Sequence, residues 1–383
     1  MVTVFQFLEH LSDRQAADAV RARIDWRSAL GLELTDPGFH CSVLTEFRAR
    51  LVAKGAEHLL LDRMLERFKA RGLVKARGKQ RTDGPHVLAA VHEGRPRWRA
   101  GSELPPVGER LQSPYDPQAH CSTKRQGERS GDKVPLTETC DESAAHLVTH
   151  VMTCPAMQQD MTGTAAIHGC LAAKDLLPAE HSVASAYVDA ALLVGSQRDH
   201  GISLEGPVRG VANQYARGPG FEQRDFAIGW DGERVPRPQG KTPVTWRAGR
   251  DEAGAPRIQA LFSRTGCGAC DVRAQCTPSK DARRSLSFHP RPEYEALNAA
   301  RTRMHDPTWK ERYRARAGIE GTPSQGVRAF GLRRSRSIGL AKTGLQQACT
   351  AAAMTVSRIV NWLDKKPRAK PRVTRFTAPA QTA

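Results

Sequence analysis

Three short segments in immediate succession limit what this chain can fold into more than any other feature. Residues 181–187 read as a strand, 188–199 as a helix and 202–206 as a second strand. Strand, helix, strand is the unit from which α/β sheets are built, with the helix crossing one face between neighbouring strands. At 383 residues the chain has room for that sheet, a substantial core and two or three domains. The predicted fold class is therefore α/β (α+β).

Charge points to the partner. The formal net charge is +18, from 58 Lys and Arg against 40 Asp and Glu, more than solubility requires and suited to a dense negative backbone. Nucleic acid is the leading candidate. No run of about 18 apolar residues is present, and residues 1–11 lack the positive start and small-residue cleavage site of a signal peptide. A membrane partner is not expected, and the expected location is the cytoplasm, on DNA. Nine cysteines scattered through a basic chain fit reduced thiols better than a disulfide scaffold.

Taken in order, residues 2–11 are apolar and end at Ser12-Asp-Arg-Gln15, a capping-box pattern that opens a helix with Ala16, Ala19, Val20 and Ile24 on one face. A short segment over 26–32 follows, broken by Thr35-Asp-Pro-Gly38. The next helix turns Leu44, Phe47 and Leu51 inward and Arg48, Arg50 and Lys54 outward. This pattern fits a helix-turn-helix with a basic outer face or an ordinary helical bundle with solvated charges. A helix over 57–71 stops at Gly72, and residues 73–82 read as a basic strand ending in Asp83. Asp83-Gly84-Pro85 equally has turn composition. Residues 113–117 and the basic run 124–133 read as a loop that could follow phosphates; 134–140 and 146–153 read as an antiparallel pair, with Pro135 unable to donate to its ladder. A helix over 162–177 buries Ala166, Ile167, Cys170, Leu171 and Ala173.

Residues 208–290 are rich in Gly, Pro and strand-like pieces at 225–230, 244–247 and 257–262. Cys267-x2-Cys270-x5-Cys276 has knuckle-like spacing for Zn2+, which would need a fourth ligand such as His289; a metal-free turn is the alternative. Helix then runs over 291–316 with a break at Asp306-Pro307. A last helix over 340–363 is apolar on one face through Leu345, Ala348, Ala352, Val356, Ile359 and Leu363. It reads as core support. The basic residues from 365 onward have the composition of a disordered arm.

One acid stands inside a field of arginines in YRARAGIEGTPSQGVRAFGLRRSR, residues 313–336. Tyr313, Arg316 and Glu320 keep the spacing Tyr-x2-Arg-x3-Glu, which in an α-helix puts Arg316 and Glu320 one turn apart on one side. This block and the helix after it resemble the end of the DDE transposases of bacterial insertion sequences. QRTDGPHVLAA at 80–90 and HSVASAYVDAALL at 181–193 resemble the strands that carry the first two acids of that family, and residues 11–39 resemble its N-terminal domain.

The resemblance implies a helical DNA-binding domain over 1–72, truncated at its start. It also implies an RNase H-like catalytic domain over 73–207, shortened near 91–105, an insertion over 208–290, the end of the catalytic domain over 291–364 and a tail over 365–383. Asp83 and Glu320 would be the first and third acids and would hold Mg2+ or Mn2+. The second-acid position falls on Ala184, while Asp189 starts the next helix. The basic residue usual seven places after the third acid is replaced by Val327, with Arg328 one later. Arg316 and Arg328 would position phosphate, and Arg48, Arg50, Arg333 and Arg334 would contact DNA. The implied partners are terminal inverted repeats and target DNA, bound by a homodimer. Impaired strand cleavage, or a non-catalytic remnant occupying element ends, follows from Ala184; an unrelated basic zinc protein is a further alternative.

Overall fold

The computed structural model describes residues 1–88, 116–124, 127–210, 220–236, 245–252, 254–277 and 283–367. In chain order its elements begin with helices α1 (Val2–Leu8), α2 (Asp13–Ala22), α3 (Ile24–Leu30), α4 (Ser42–Ala53) and α5 (Leu59–Ala70). Strands β1 (Lys79–Asp83), β2 (His86–Leu88), β3 (His120–Lys124), β4 (Gly127–Lys133), β5 (Leu136–Thr139), β6 (Val148–Val151) and β7 (Cys154–Pro155) come next. Helix α6 (Met161–Ala173), β8 (Glu180–Val183), α7 (Ala190–His200) and β9 (Ser203–Glu205) follow. After them come β10 (Thr245–Arg250), β11 (Pro256–Leu261), the short helices α8 (Arg264–Gly268) and α9 (Arg273–Cys276), and β12 (Ser285–Phe288). The chain closes with α10 (Arg291–Arg303), α11 (Pro307–Arg314), a 3-10 turn Ala315–Glu320, α12 (Gly321–Ala329) and α13 (Leu340–Leu363). Two compact units result: Met1–Lys75, Gly84–Met157 and Glu320–Ala383 form the first, Ala76–Asp83 and Gln158–Ile319 the second. No helix among the described residues is long and apolar enough to cross a membrane.

In the first unit, α2 starts where the capping box predicts it. The Ser12 hydroxyl accepts from Gln15 N at 3.3 Å and the Gln15 side chain accepts from Ser12 N at 2.9 Å. Ala16, Ala19 and Val20 are buried with Trp26 and Leu44, but Ile24 is 72% exposed. Arg23 leaves the helix with φ −99° and ψ 121°, which resets the phase and brings Trp26 inward in place of Ile24. Gly72, at φ +69°, terminates the α5 segment.

The spine of this unit is α13, against which α1, α4, α5 and β6 pack. Phe7, Leu51, Phe330, Leu345, Cys349, Ala353 and Met354 form one cluster. The prediction of a single apolar face needs correction: every residue from Ala348 to Thr355 is buried, whereas Leu363 is 60% exposed. Alanines on all sides let neighbouring elements approach closely. Each buried Leu or Met in the cluster contributes roughly 2 kcal/mol of transfer free energy.

The predicted basic loop over 124–133 is instead a strand pair, β3 with β4, extended by β2 and β7 into an antiparallel sheet. Strands β5 and β6 pair antiparallel as expected. Pro135 lies before β5, and its carbonyl accepts from Met152 N at 3.0 Å, so no ladder donor is lost. The expected shortening at 91–105 and the tail from 368 lie outside the described residues.

In the second unit the predicted strand, helix and strand are β8, α7 and β9, with β8 parallel to β9 and also to β1, but the strand expected over 181–187 ends at Val183 and Ser185–Tyr187 is a 3-10 turn. The basic strand expected over 73–82 is only Lys79–Asp83. On one face of this trio Thr82 Oγ1 lies 2.8 Å from His181 Nε2, His181 Nδ1 lies 2.8 Å from His168 Nε2, and His168 Nδ1 lies 3.4 Å from Ser196 Oγ. Burial pushes the His168 pKa down to about 4 and that of His181 well below the usual range, so both rings are neutral near pH 7. The buried stripe of α6 is Thr164, Ile167, His168 and Leu171, while Ala166, Cys170 and Ala173 face solvent. That corrects the predicted face. Strands β10, β11 and β12 form a separate antiparallel sheet over a core of Phe226, Val235, Ala260, Phe262, Cys267, Leu286 and Phe288.

Candidate active site

Helix α11 starts cleanly because Asp306 accepts from Thr308 N at 2.8 Å and Pro307 occupies the first helical turn. Trp309, Arg312, Tyr313 and Arg316 then recur at the spacing of one helix face. Between them they reach three strands. Trp309 Nε1 donates to Glu205 Oε2 at 2.6 Å on β9, and Arg312 lies 3.9 Å from Glu180 Oε2 on β8. The Tyr313 hydroxyl donates to the Val183 carbonyl at 2.9 Å, and Arg316 Nη2 lies 3.4 Å from Asp83 Oδ2. Arg81 completes the set by donating from Nη1 to the Ala315 carbonyl.

The register explains why these residues meet. Arg81 pairs with Ser182, and Ser182 pairs with Glu205. Alternation along each strand then puts Arg81, Asp83, Ser182, Ala184 and Glu205 on one side of the sheet and the histidines on the other. Thr82 pairs with Val183, so one step further Asp83 and Ala184 stand level at the ends of neighbouring strands. The Asp83-Gly84-Pro85 stretch is thus a strand end in its first residue, and β2 begins at His86 directly after it. Burial raises the pKa of Tyr313, with Arg316 opposing the rise and Asp83 adding to it.

The Tyr-x2-Arg-x3-Glu spacing does not lie on one α-helix. Residues Ala315–Glu320 form a 3-10 turn, in which positions three apart share a side. Arg316 therefore sides with the buried Ile319, and Glu320 is exposed, immediately before α12. Gly318 leaves room for the Arg81 guanidinium: a Cβ there would lie 2.9 Å from Arg81 Cζ.

Other predicted residues are placed as follows. Asp189 accepts from Leu192 N at 2.7 Å and caps α7, as its position at a helix start suggests. Arg48 turns toward α2 and pairs with Asp13 at 2.5 Å, whereas Arg50 is exposed beside Glu46. Arg328 bonds locally to Ser324, and Arg333 and Arg334 are exposed after Gly331, whose φ is +64°. Cys267 is buried in α8, while Cys270 and Cys276 are half-buried; His289 pairs with Glu293 at 3.1 Å. Sequence reasoning missed Glu205, Trp309 and Arg81. The Trp309-Tyr313 spacing of four was the available sign for the helix face.

Among the described residues, no group of three or more His, Cys, Asp or Glu side chains is arranged to hold a metal ion. The donors at the strand ends do not fit a pair of divalent ions. Asp83 faces Arg316, Ala184 offers no oxygen and packs against the Val183, Tyr187 and Val188 cluster, and Asp189 is turned to its own helix.

Residues 238–360 match the family described as Transposase DDE domain, and residues 1–50 match Transposase domain (DUF772). The first match includes Trp309, Tyr313, Arg316 and Glu320; Asp83 and Ala184 precede it. No match was found among curated proteins.

Proposed function

Because these matches place the chain among the DDE transposases of insertion-sequence type, whose catalytic domain is RNase H-like, we propose that it binds the terminal inverted repeats of its element and that its strand-cleaving chemistry is impaired at residue 184. The observation that carries the second half is the parallel register of β1 and β8, which sets Ala184 level with Asp83. Asp83 and Glu320 are the first and third acids on this reading, and Arg316 and Arg328 position phosphate. The exposed Arg50, Arg333 and Arg334 lie along DNA, and paired repeats call for two copies of the chain. The family's chemistry uses divalent ions, Mg2+ or Mn2+, held by carboxylates. Without an oxygen at 184 this chain does not hold the pair, so efficient cleavage requires the acid to be restored.

A second reading, a protein whose work is occupancy of element ends, is favoured by the same alanine. One experiment addresses both: a labelled duplex carrying the terminal repeat is incubated with Mg2+ or Mn2+ and the natural chain, its Ala184→Asp variant, or Ala184→Asp/Glu320→Ala. Binding by all three and cleavage by Ala184→Asp alone is the expected result. Cleavage by the natural chain would overturn the assignment of residue 184. Binding without cleavage by any of them favours the occupancy reading.

A further inference from the structure

We propose that Glu205 and Trp309 form a clasp that sets the pose of Arg316 and, through it, of Asp83; the proposal rests on the reading of Asp83 as a catalytic acid. Glu205 ends β9 and is 7% exposed. Burying a carboxylate is costly unless it is hydrogen-bonded. Its partners are the Trp309 indole N–H at 2.6 Å, the Ser203 hydroxyl at 2.8 Å and the Arg303 guanidinium at 3.9 Å.

Trp309 is itself 6% exposed and lies flat on Tyr313, with ring centroids 4.8 Å apart and planes 7° from parallel. The indole is therefore fixed at its nitrogen by Glu205 and across its face by Tyr313, and Tyr313 is fixed at its hydroxyl by the Val183 carbonyl. A side chain held at these points cannot slide without moving the helix that carries it. The 3-10 turn that directly continues that helix brings Arg316 to Asp83 at 3.4 Å.

An apolar residue at 205 would fill the same volume and cover the same indole. A carboxylate adds direction, because a charge-assisted hydrogen bond fixes where the N–H points. Buried charges are weak devices for stability and better explained as devices for selecting one arrangement. Glu205 is thus a positioning residue: it touches neither Asp83's partner nor the strand end at Ala184, and acts through Trp309.

The test uses the full chain in the Ala184→Asp background with the repeat duplex. Trp309→Phe and Glu205→Leu should lower the cleavage rate at saturating DNA by about 10-fold to 100-fold, the scale of a small misplacement at a reacting group, with duplex affinity unchanged. Glu205→Gln, which keeps an oxygen acceptor for the indole, should recover most of that rate. Unchanged rates in Trp309→Phe and Glu205→Leu, or losses in rate and affinity together that Gln does not rescue, would overturn the clasp.

A second arm stands apart from cleavage, so that an inactive Ala184→Asp protein counts against the catalytic reading and not against the clasp. Thermal unfolding of Trp309→Phe, Arg316→Met and the double variant should be non-additive, the double losing several degrees less than the sum of the singles. Strict additivity would show that the two residues act independently and would overturn the proposal.

Discussion

At the scale of single residues, burial makes Asp132 the clearest case. It is 4% exposed on β4, and burial, with Asp116 adding repulsion, pushes its pKa up to about 6. A carboxyl whose folded pKa is raised favours folding in its protonated form. That contribution is complete below the ordinary value of 3.8 and is lost as pH rises through about 6. Asp132→Asn should therefore raise stability at pH 8, on the order of 1–3 kcal/mol, and the gain should vanish near pH 4; denaturant unfolding at the two pH values measures it. His168 and His181 have the opposite sign. Their lowered pKa values favour the folded chain above the ordinary histidine range, and this is lost as pH falls, for His168 through about 4.

At the scale of elements, β5, α12 and α13 are tied by one buried charge pair. Glu138 is fully buried and accepts from Arg358 Nη1 at 2.5 Å and from the Thr322 hydroxyl. Arg358 also donates to the His146 carbonyl at 2.9 Å and to Gln325 Oε1 at 2.9 Å. Arg358→Met should cost about 3–5 kcal/mol in denaturant unfolding, because buried Glu138 would lose the guanidinium that pairs with it. Adding Glu138→Leu should return most of it, and a double variant as unstable as the single would refute this account. Elements with local signals were legible in sequence: the Ser12 capping box, the break at Asp306-Pro307 and the Gly72 stop. The strand, helix and strand ending at Glu205 was legible for the same reason. The 3-10 turn before Glu320 was not, because it depends on Arg81, 234 residues distant in sequence. Nor was the pairing of β3 with β4, whose Gly, Ser, Glu and Lys residues carry little strand preference and whose ladder is set by partners elsewhere. The all-round burial of α13 was hidden by its threonines and glutamines.

At the scale of the whole molecule, a net charge of +18 sets how the chain responds to salt. Affinity for duplex DNA should fall about a thousandfold or more between roughly 50 and 200 mM salt, on repeat and non-repeat duplexes alike, while their ratio changes little. A shallow salt slope in a binding titration would mean that few phosphates are contacted. The fastening of Tyr313 to the Val183 carbonyl has a consequence for residue 184. A backbone atom holds the end of β8, so this fastening does not depend on which side chain follows at 184. The Ala184 side chain takes no part in that hydrogen bond. On the reading proposed above, an acid placed at 184 would find the end of β8 already fastened, so restoring it would call for no second change in the strand.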